Sequence, residues 1–166
     1  MQKLIVCLLL IIPFSAYANM VWPAVYLEVR LFSWWAISAG LVIESIFVLK
    51  LFNLPATKVF IATFGANFVS AVAGIILIPL SGIAWEIFPG SIFNDLLNMG
   101  TFNPITWGAT FILACMINVA IEGMVYQKIF KLPFMFKSKA FFWFLLANAF
   151  SVGVALISVF IKPLQL

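Results

Sequence analysis

Residues 43–55 read IESIFVLKLFNLP, and residues 121–133 read IEGMVYQKIFKLP. Six of the thirteen aligned positions are identical: Ile, Glu, Lys, Phe, Leu and Pro. Because Glu, Lys and Pro are uncommon in this chain, chance does not explain their shared spacing. The polar residues that match beyond a short insertion are Lys58, Asn67 and Ser70 in the first copy and Lys139, Asn148 and Ser151 in the second. The sequence therefore predicts an internal duplication.

The composition predicts a membrane protein. The 166-residue chain is 66 % hydrophobic and 8 % charged, whereas soluble domains carry about 25 % charged residues. It has no histidine, which excludes His-ligated haem, the common zinc sites and Ser-His or Cys-His nucleophile pairs. The basic residues flank apolar runs without forming a stripe, which excludes nucleic-acid binding. We expect a protein that is not an enzyme, holds no cofactor or metal, and has the lipid bilayer as its first partner.

Four apolar runs are long enough to cross a bilayer. Each has about 19 to 23 residues, which matches a hydrocarbon core of about 30 Å at 1.5 Å per residue. The runs cover 31–49, 59–78, 105–127 and 140–161. The predicted fold is an all-α membrane protein with four transmembrane helices, built as two duplicated helical hairpins. Since each hairpin crosses the membrane twice, the copies form a parallel repeat about an axis along the membrane normal.

The N-terminus has the pattern of a secretory signal peptide. A basic start precedes an apolar run over 4–14, and SAYA over 15–18 supplies the small residues that signal peptidase accepts. The apolar run is too short to span a bilayer. We expect a cleaved signal peptide over 1–18 and a single four-helix transmembrane domain over 19–166. The alternative is an uncleaved anchor in which 21–27 extends the apolar run.

The two repeats are joined by a loop that is not uniformly polar. The first repeat covers 31–80, the second covers 105–161, and the loop between them covers 81–104. Four apolar residues of the loop share one face of a short predicted helix: Ile92, Phe93, Leu96 and Leu97. Such a helix suits the membrane interface. It could equally be a lid, a docking surface or a segment buried against the bundle.

The lysines predict the orientation of the chain. Six of the eight basic residues after the signal peptide lie in the turns inside the two hairpins: Lys50, Lys58, Lys128, Lys131, Lys137 and Lys139. The positive-inside rule puts these turns in the cytoplasm. Both mature termini then lie outside, as a cleaved signal peptide also requires. Secretory targeting without a eukaryotic sorting motif favours a bacterial inner membrane.

Two glutamates inside the predicted spans are the candidate functional residues. Glu44 and Glu122 each lie six positions before a lysine, about 9 Å inside the membrane boundary, and Asn67 and Asn148 lie about 13.5 Å inside. Helical side chains tilt toward the N-terminus of their helix, so Glu44 is predicted to meet Asn67, and Glu122 to meet Asn148. The polar residues one turn from Glu122 are Asn118 and Tyr126.

Ionisable groups in a membrane usually mark function, since an unpaired charge there costs at least about 2–3 kcal/mol. Two carboxyl groups that the repeat brings together would share a proton or hold a cation. This predicts a proton- or cation-linked transporter or permeation unit with a polar site open to the cytoplasm. Four helices enclose little space, which favours a homodimer. The alternative is a non-catalytic accessory or assembly subunit of a larger membrane complex, in which the Glu/Asn pairs are interhelical hydrogen bonds.

Overall fold

A computed structural model describes residues 22–161 of the chain. The predicted signal peptide over 1–18 lies outside the described residues, as does 162–166. Every element of secondary structure in the described part is helical. The α-helices are α1 (Trp22–Leu31), α2 (Trp34–Phe52), α3 (Ala56–Trp85), α4 (Ser91–Leu97), α5 (Pro104–Lys128) and α6 (Lys139–Ile161), and a π-helical turn over Glu86–Gly90 joins α3 to α4.

Four of these helices, α2, α3, α5 and α6, are long and apolar enough to cross a membrane. Their outward side chains are large and apolar, and examples that are 60–62 % exposed are Val42, Phe68, Ile112 and Phe142. A bilayer would cover such a surface, and all backbone polar groups of a helix are satisfied internally there. The prediction of four apolar spanning helices in an all-α chain is confirmed.

The four long helices pack as a ring. α3 packs against α2 and α5, and α6 packs against α2 and α5. Helices α2 and α5 therefore face each other across the bundle, as do α3 and α6. We call the end that carries the turns at 53–55 and 129–138 the lysine side, and the end that carries α4 the far side.

Helix α1 fills the far side of the bundle, where it packs mainly between α3 and α6. Leu27 and Ala24 are 0 % and 2 % exposed and lie in one buried cluster with Ile78, Ala114 and Val152. The sequence analysis did not predict α1, because ten residues that include a proline and two charges do not resemble a span. Its role comes from packing against four other helices, which periodicity within ten residues does not reveal.

Helix α3 is longer than the apolar run predicted. The predicted helix ended at Ile78, before a proline, but α3 continues through Pro79 to Trp85. Proline removes one backbone donor and disfavours a helix interior in water, whereas neighbouring helices and side chains compensate for it in membrane helices. The predicted boundary at Pro79 is therefore wrong.

The loop between the hairpins contains the short helix that the sequence predicted. Its apolar residues are exposed, by 38 % to 75 %: Ile92, Phe93, Leu96 and Leu97. The alternative in which the bundle buries this face is therefore wrong. The opposite face points inward, where the Asn94 amide donates to Glu86 Oε2 at 3.1 Å and the Asn103 amide donates to Asn94 Oδ1 at 2.7 Å. Asn103 also caps α5, because its side chain accepts from the Thr106 backbone N–H at 2.9 Å.

Candidate functional site

Both candidate glutamates lie at the centre of the bundle. Glu44 on α2 and Glu122 on α5 are each 1 % exposed. Their helices face each other across the ring, and the two carboxyl groups are close enough for their charges to interact. The structure thus brings the two glutamates into one buried site.

Glu44 is held by one asparagine and one serine. The Asn67 amide on α3 donates to Glu44 Oε2, and Ser151 on α6 is a second hydrogen-bonding neighbour of the same carboxyl. Asn67 also donates to the Thr63 carbonyl at 3.0 Å, four residues earlier on its own helix. This second bond fixes the direction of the amide.

Glu122 is held in the same way by the corresponding residues. The Asn148 amide on α6 donates to Glu122 Oε2 at 3.1 Å, and the Ser70 hydroxyl on α3 lies 2.8 Å from Glu122 Oε1. Asn148 also approaches the Phe144 carbonyl, four residues earlier, at 3.4 Å. The asparagines on α3 and α6 therefore occupy matching environments.

Each carboxyl group is bound by residues from both hairpins. Each carboxyl takes its asparagine from its own hairpin, so both predicted Glu/Asn pairs are in contact. Each takes its serine from the other hairpin. The sequence analysis found both serines in the repeated pattern, three residues after each asparagine, but did not assign them a role. Only the packing of one hairpin on the other shows where they point.

A close approach of α2 and α6 places Ser151 at this site. A Cβ atom on Gly40 would lie only 2.6 Å from Ser151 Oγ, which is closer than real Cβ contacts. A Cβ atom on Gly153, by contrast, would meet Phe111 at an ordinary 3.8 Å. A side chain at Gly40 would therefore require the Ser151 hydroxyl to move, whereas a side chain at Gly153 would require no such movement.

Aromatic side chains close the site on the lysine side. Tyr126, Phe134 and Phe144 are each at most 1 % exposed, and the Phe144 ring lies 5.2 Å from that of Tyr126 and 5.6 Å from that of Phe134. Gly123 makes room for this cluster, since a Cβ atom there would lie 2.5 Å from the Phe134 ring. The site was predicted to open toward the lysine-rich turns. This prediction is wrong, because these buried aromatic side chains pack at that end of the site.

Tyr126 presents its hydroxyl to the polar centre. This hydroxyl is buried beside the hydroxyl of Thr63, which is its hydrogen-bonding neighbour. Tyr126 is near enough to Glu44 and Glu122 to interact with the charge of either. The predicted grouping of Tyr126 with the two glutamates therefore agrees with its position.

A cavity of about 270 Å³ lies on the far side of Glu44, between α2 and α3. Its polar lining consists of Glu28, Glu44, Asn67, Ser70, Asn118 and Ser151. Of the six predicted site residues, Glu44, Asn67 and Asn118 line it, whereas Glu122, Tyr126 and Asn148 lie in the closed part of the bundle. Glu28 was not predicted, because it belongs to α1, which was not recognised as part of the bundle.

Two carboxyl groups in one buried site can share a proton or hold a cation. Within residues 22–161, no three His, Cys, Asp or Glu side chains are grouped so that they could hold a metal ion. The amide and hydroxyl groups around the carboxyl pair supply hydrogen-bond donors and also oxygen atoms, the ligand type that hard cations prefer. No protein-family model matches the chain, and neither curated proteins nor solved structures give a match.

Proposed function

We propose that the protein is a small proton-linked membrane transporter. The buried carboxyl pair holds an exchangeable proton, and the cavity beside it admits the transported solute. One observation carries the proposal: Glu44 belongs both to the carboxyl pair and to the cavity lining. A solute in the cavity therefore acts directly on a group that shares the proton.

The hydrogen bonds around Ser70 suit a site that gains and loses a proton. Ser70 Oγ lies 2.8 Å from Glu122 Oε1 and 3.1 Å from the Asn67 carbonyl, but a hydroxyl has only one hydrogen. It donates to Glu122 when that group is ionised. When Glu122 is protonated, its O–H donates to Ser70, which then donates to the carbonyl. Both states are satisfied without moving a helix.

The proton and the solute are coupled through charge. Two neighbouring carboxyl groups that are removed from water do not both ionise, so the pair retains a proton. A cation next to Glu44 favours its ionised form and releases that proton. Binding of a cation and release of a proton are then thermodynamically coupled, as exchange transport requires.

Several features of the molecule are part of this proposal. The duplicated hairpins supply the two carboxyls, and the lysine-rich turns lie in the cytoplasm, with both mature ends outside a bacterial inner membrane. A signal peptide over 1–18 delivers the chain. The exposed apolar faces of the long helices are covered by lipid and by a second copy in a homodimer. The chain has no catalytic role in this proposal.

The test combines stability and transport. We expect the thermal stability of the purified wild type in detergent to depend on pH or on Na⁺, K⁺ or Ca²⁺. The double variant Glu44→Gln/Glu122→Gln should fold and lose the part of that dependence that the carboxyl pair supplies, because an amide keeps the shape and the hydrogen bonds but cannot exchange a proton. The contribution of the buried Glu28 to the pH dependence should remain. In liposomes, an imposed pH gradient should drive solute movement for the wild type only.

A matched control separates this response from general effects of removing a carboxyl. Glu86 is 2 % exposed and also accepts from an asparagine, Asn94, but it lies outside the pair and the cavity. Glu86→Gln should keep the pH or cation response of the wild type. A wild type that is indifferent to pH and cations would contradict the transporter.

The alternative function is that of an accessory or assembly subunit. The hydrogen bonds favour it to the extent that Ser70 and Ser151 tie the two hairpins together, while Asn67 and Asn148 tie the helices within each hairpin. In that case both Glu→Gln variants should be nearly harmless, and the protein should co-purify in fixed ratio with a larger membrane complex. Stable co-purification together with the absence of transport would decide for this alternative.

A further inference from the structure

We propose that the cavity between α2 and α3 binds an organic monocation with an apolar body, with Glu28 as the carboxylate that holds the cationic group. The inference rests on the proposed function, since it names the class of solute. The inference differs from the proposed function because it depends on Glu28, which takes no part in the carboxyl pair.

Glu28 is a buried carboxyl group directed into the cavity. It is 7 % exposed, it lines the cavity, and its Oε2 atom has no hydrogen-bonding partner. Its place depends on Gly74 of α3, because a Cβ atom there would lie 3.2 Å from Glu28 Oε1. A buried polar atom is normally hydrogen-bonded, so a ligand with N–H donors is the chemistry that this group lacks.

The charges of the cavity have one sign. Glu28 and Glu44 are the charged residues of its lining, and no described Lys or Arg belongs to it. An anionic or zwitterionic solute would meet uncompensated carboxyl groups, whereas a cation is attracted to both. The remaining polar lining, Asn118 among it, is neutral.

The walls of the cavity select an apolar body. Phe32, Phe64 and Phe68 line it together with aliphatic side chains, and aromatic faces attract cations as well as hydrocarbon. The three rings are also 44 % to 62 % exposed, so the cavity reaches the lipid-facing surface between α2 and α3. A solute that partitions into lipid can therefore enter from the side.

A bare metal ion does not fit the end of the cavity at Glu28. Ca²⁺ and Mg²⁺ require six or more oxygen ligands, and the described residues form no acidic cluster there. A volume of about 270 Å³ is close to the lower limit of small-molecule sites. Size and lining together indicate a small amine rather than an ion or a phospholipid.

The experiment measures binding of radiolabelled 2-phenylethylammonium to the protein in phosphatidylcholine nanodiscs, after subtraction of binding to empty nanodiscs. We expect saturable binding to the wild type. Glu28→Gln should weaken it at least about tenfold, the usual effect of losing a hydrogen bond to a charged group. The uncharged 3-phenylpropanol should compete poorly, and 3-phenylpropanoate should not compete.

Two further variants test the place of binding. Ala71→Leu fills the cavity without touching Glu28 and should abolish binding, so the inference can still be tested if Glu28→Gln does not fold. Glu86→Gln should bind as the wild type does. Undiminished binding to Glu28→Gln or Ala71→Leu would overturn the inference, as would equal competition by the alcohol or the absence of saturable binding.

The proposed function and this inference fail in distinguishable ways. Binding that depends on Glu28, in a protein whose response to pH and cations is unchanged in Glu44→Gln/Glu122→Gln, would leave the amine site in place and remove the proton exchange. A pH response that the Glu44 and Glu122 variants lose, without any amine binding, would support the proton exchange and remove the amine site.

Discussion

Ser70 forms a hydrogen bond to Glu122 that the sequence did not predict. The loss of stability when this hydroxyl is removed should be measurable. Ser70→Ala deletes a hydroxyl that lies 2.8 Å from Glu122 Oε1. We expect a loss of about 1 kcal/mol in stability, in line with buried and intramembrane hydrogen bonds. Ser81→Ala is the control, because Ser81 bonds only to a carbonyl of its own helix at 2.7 Å. Thermal unfolding in detergent compares the two, and equal losses would contradict a special role for Ser70.

Glu28 gives the stability a defined dependence on pH. Burial raises the pKa of Glu28 from 4.5 to about 7, so between these values the folded protein binds more protons than the unfolded chain. Its contribution to stability therefore falls as the pH rises from about 4.5 to about 7 and is constant above. We expect the melting temperature of the wild type relative to Glu28→Gln to fall over this window. A difference that is flat or rises with pH would contradict the burial of this carboxyl.

At the scale of single residues, the sequence predicted the Glu/Asn pairs because helix depth and side-chain tilt follow from spacing alone. The contacts of three other residues, Ser70, Ser151 and Glu28, could not be predicted in this way, because they depend on how separate helices pack. A repeated serine signals small polar contacts in general, and a glutamate before the first span is read as an exposed charge. Their partners become visible only when α1 and the second hairpin are in place.

The contact between α2 and α6 is tight enough for a two-residue test. Gly40→Ala would place a Cβ atom 2.6 Å from Ser151 Oγ, and overpacking of this kind costs about 1–3 kcal/mol. Adding Ser151→Ala should recover part of the loss, because the new Cβ atom would then meet only the Ser151 Cβ position at 3.8 Å. Double-mutant unfolding in detergent measures this coupling.

Gly153→Ala is the matched control on α6, where a Cβ atom would meet Phe111 at 3.8 Å. It should be nearly neutral, with or without Ser151→Ala. If Ser151→Ala failed to relieve the Gly40→Ala variant, the close approach of the two helices would be wrong.

At the scale of elements, length and hydropathy predicted the four spans but not their ends. A proline is a dependable stop in water, whereas membrane helices tolerate one in their interior, and α3 passes through Pro79. Ten residues cannot span a bilayer, so the segment Trp22–Leu31 was not predicted to be part of the core. Both errors concern tertiary packing, which the periodicity of one segment does not contain.

The whole molecule has a lysine side and a far side, and labelling can determine which one faces the cytoplasm. In a variant that lacks Cys7 and Cys115, a cysteine introduced at the exposed Asp95 should react with a membrane-impermeant maleimide in intact cells. Cysteines introduced at Asn53 or Ser138 should react only after permeabilisation. The reverse pattern would invert the orientation and, with it, the side from which the cavity fills.

The crossing of the serines has an evolutionary consequence. A lone hairpin with Glu44, Asn67 and Ser70 would offer its serine to no carboxyl of its own, whereas two identical copies related by a two-fold axis would exchange serines and satisfy both. The duplication that the sequence predicts would therefore have begun from a homodimer. Fusion of its two copies into one gene would free the halves to diverge, as at Val48 and Tyr126. Splitting the gene between α4 and α5 should yield fragments that reassemble when co-expressed.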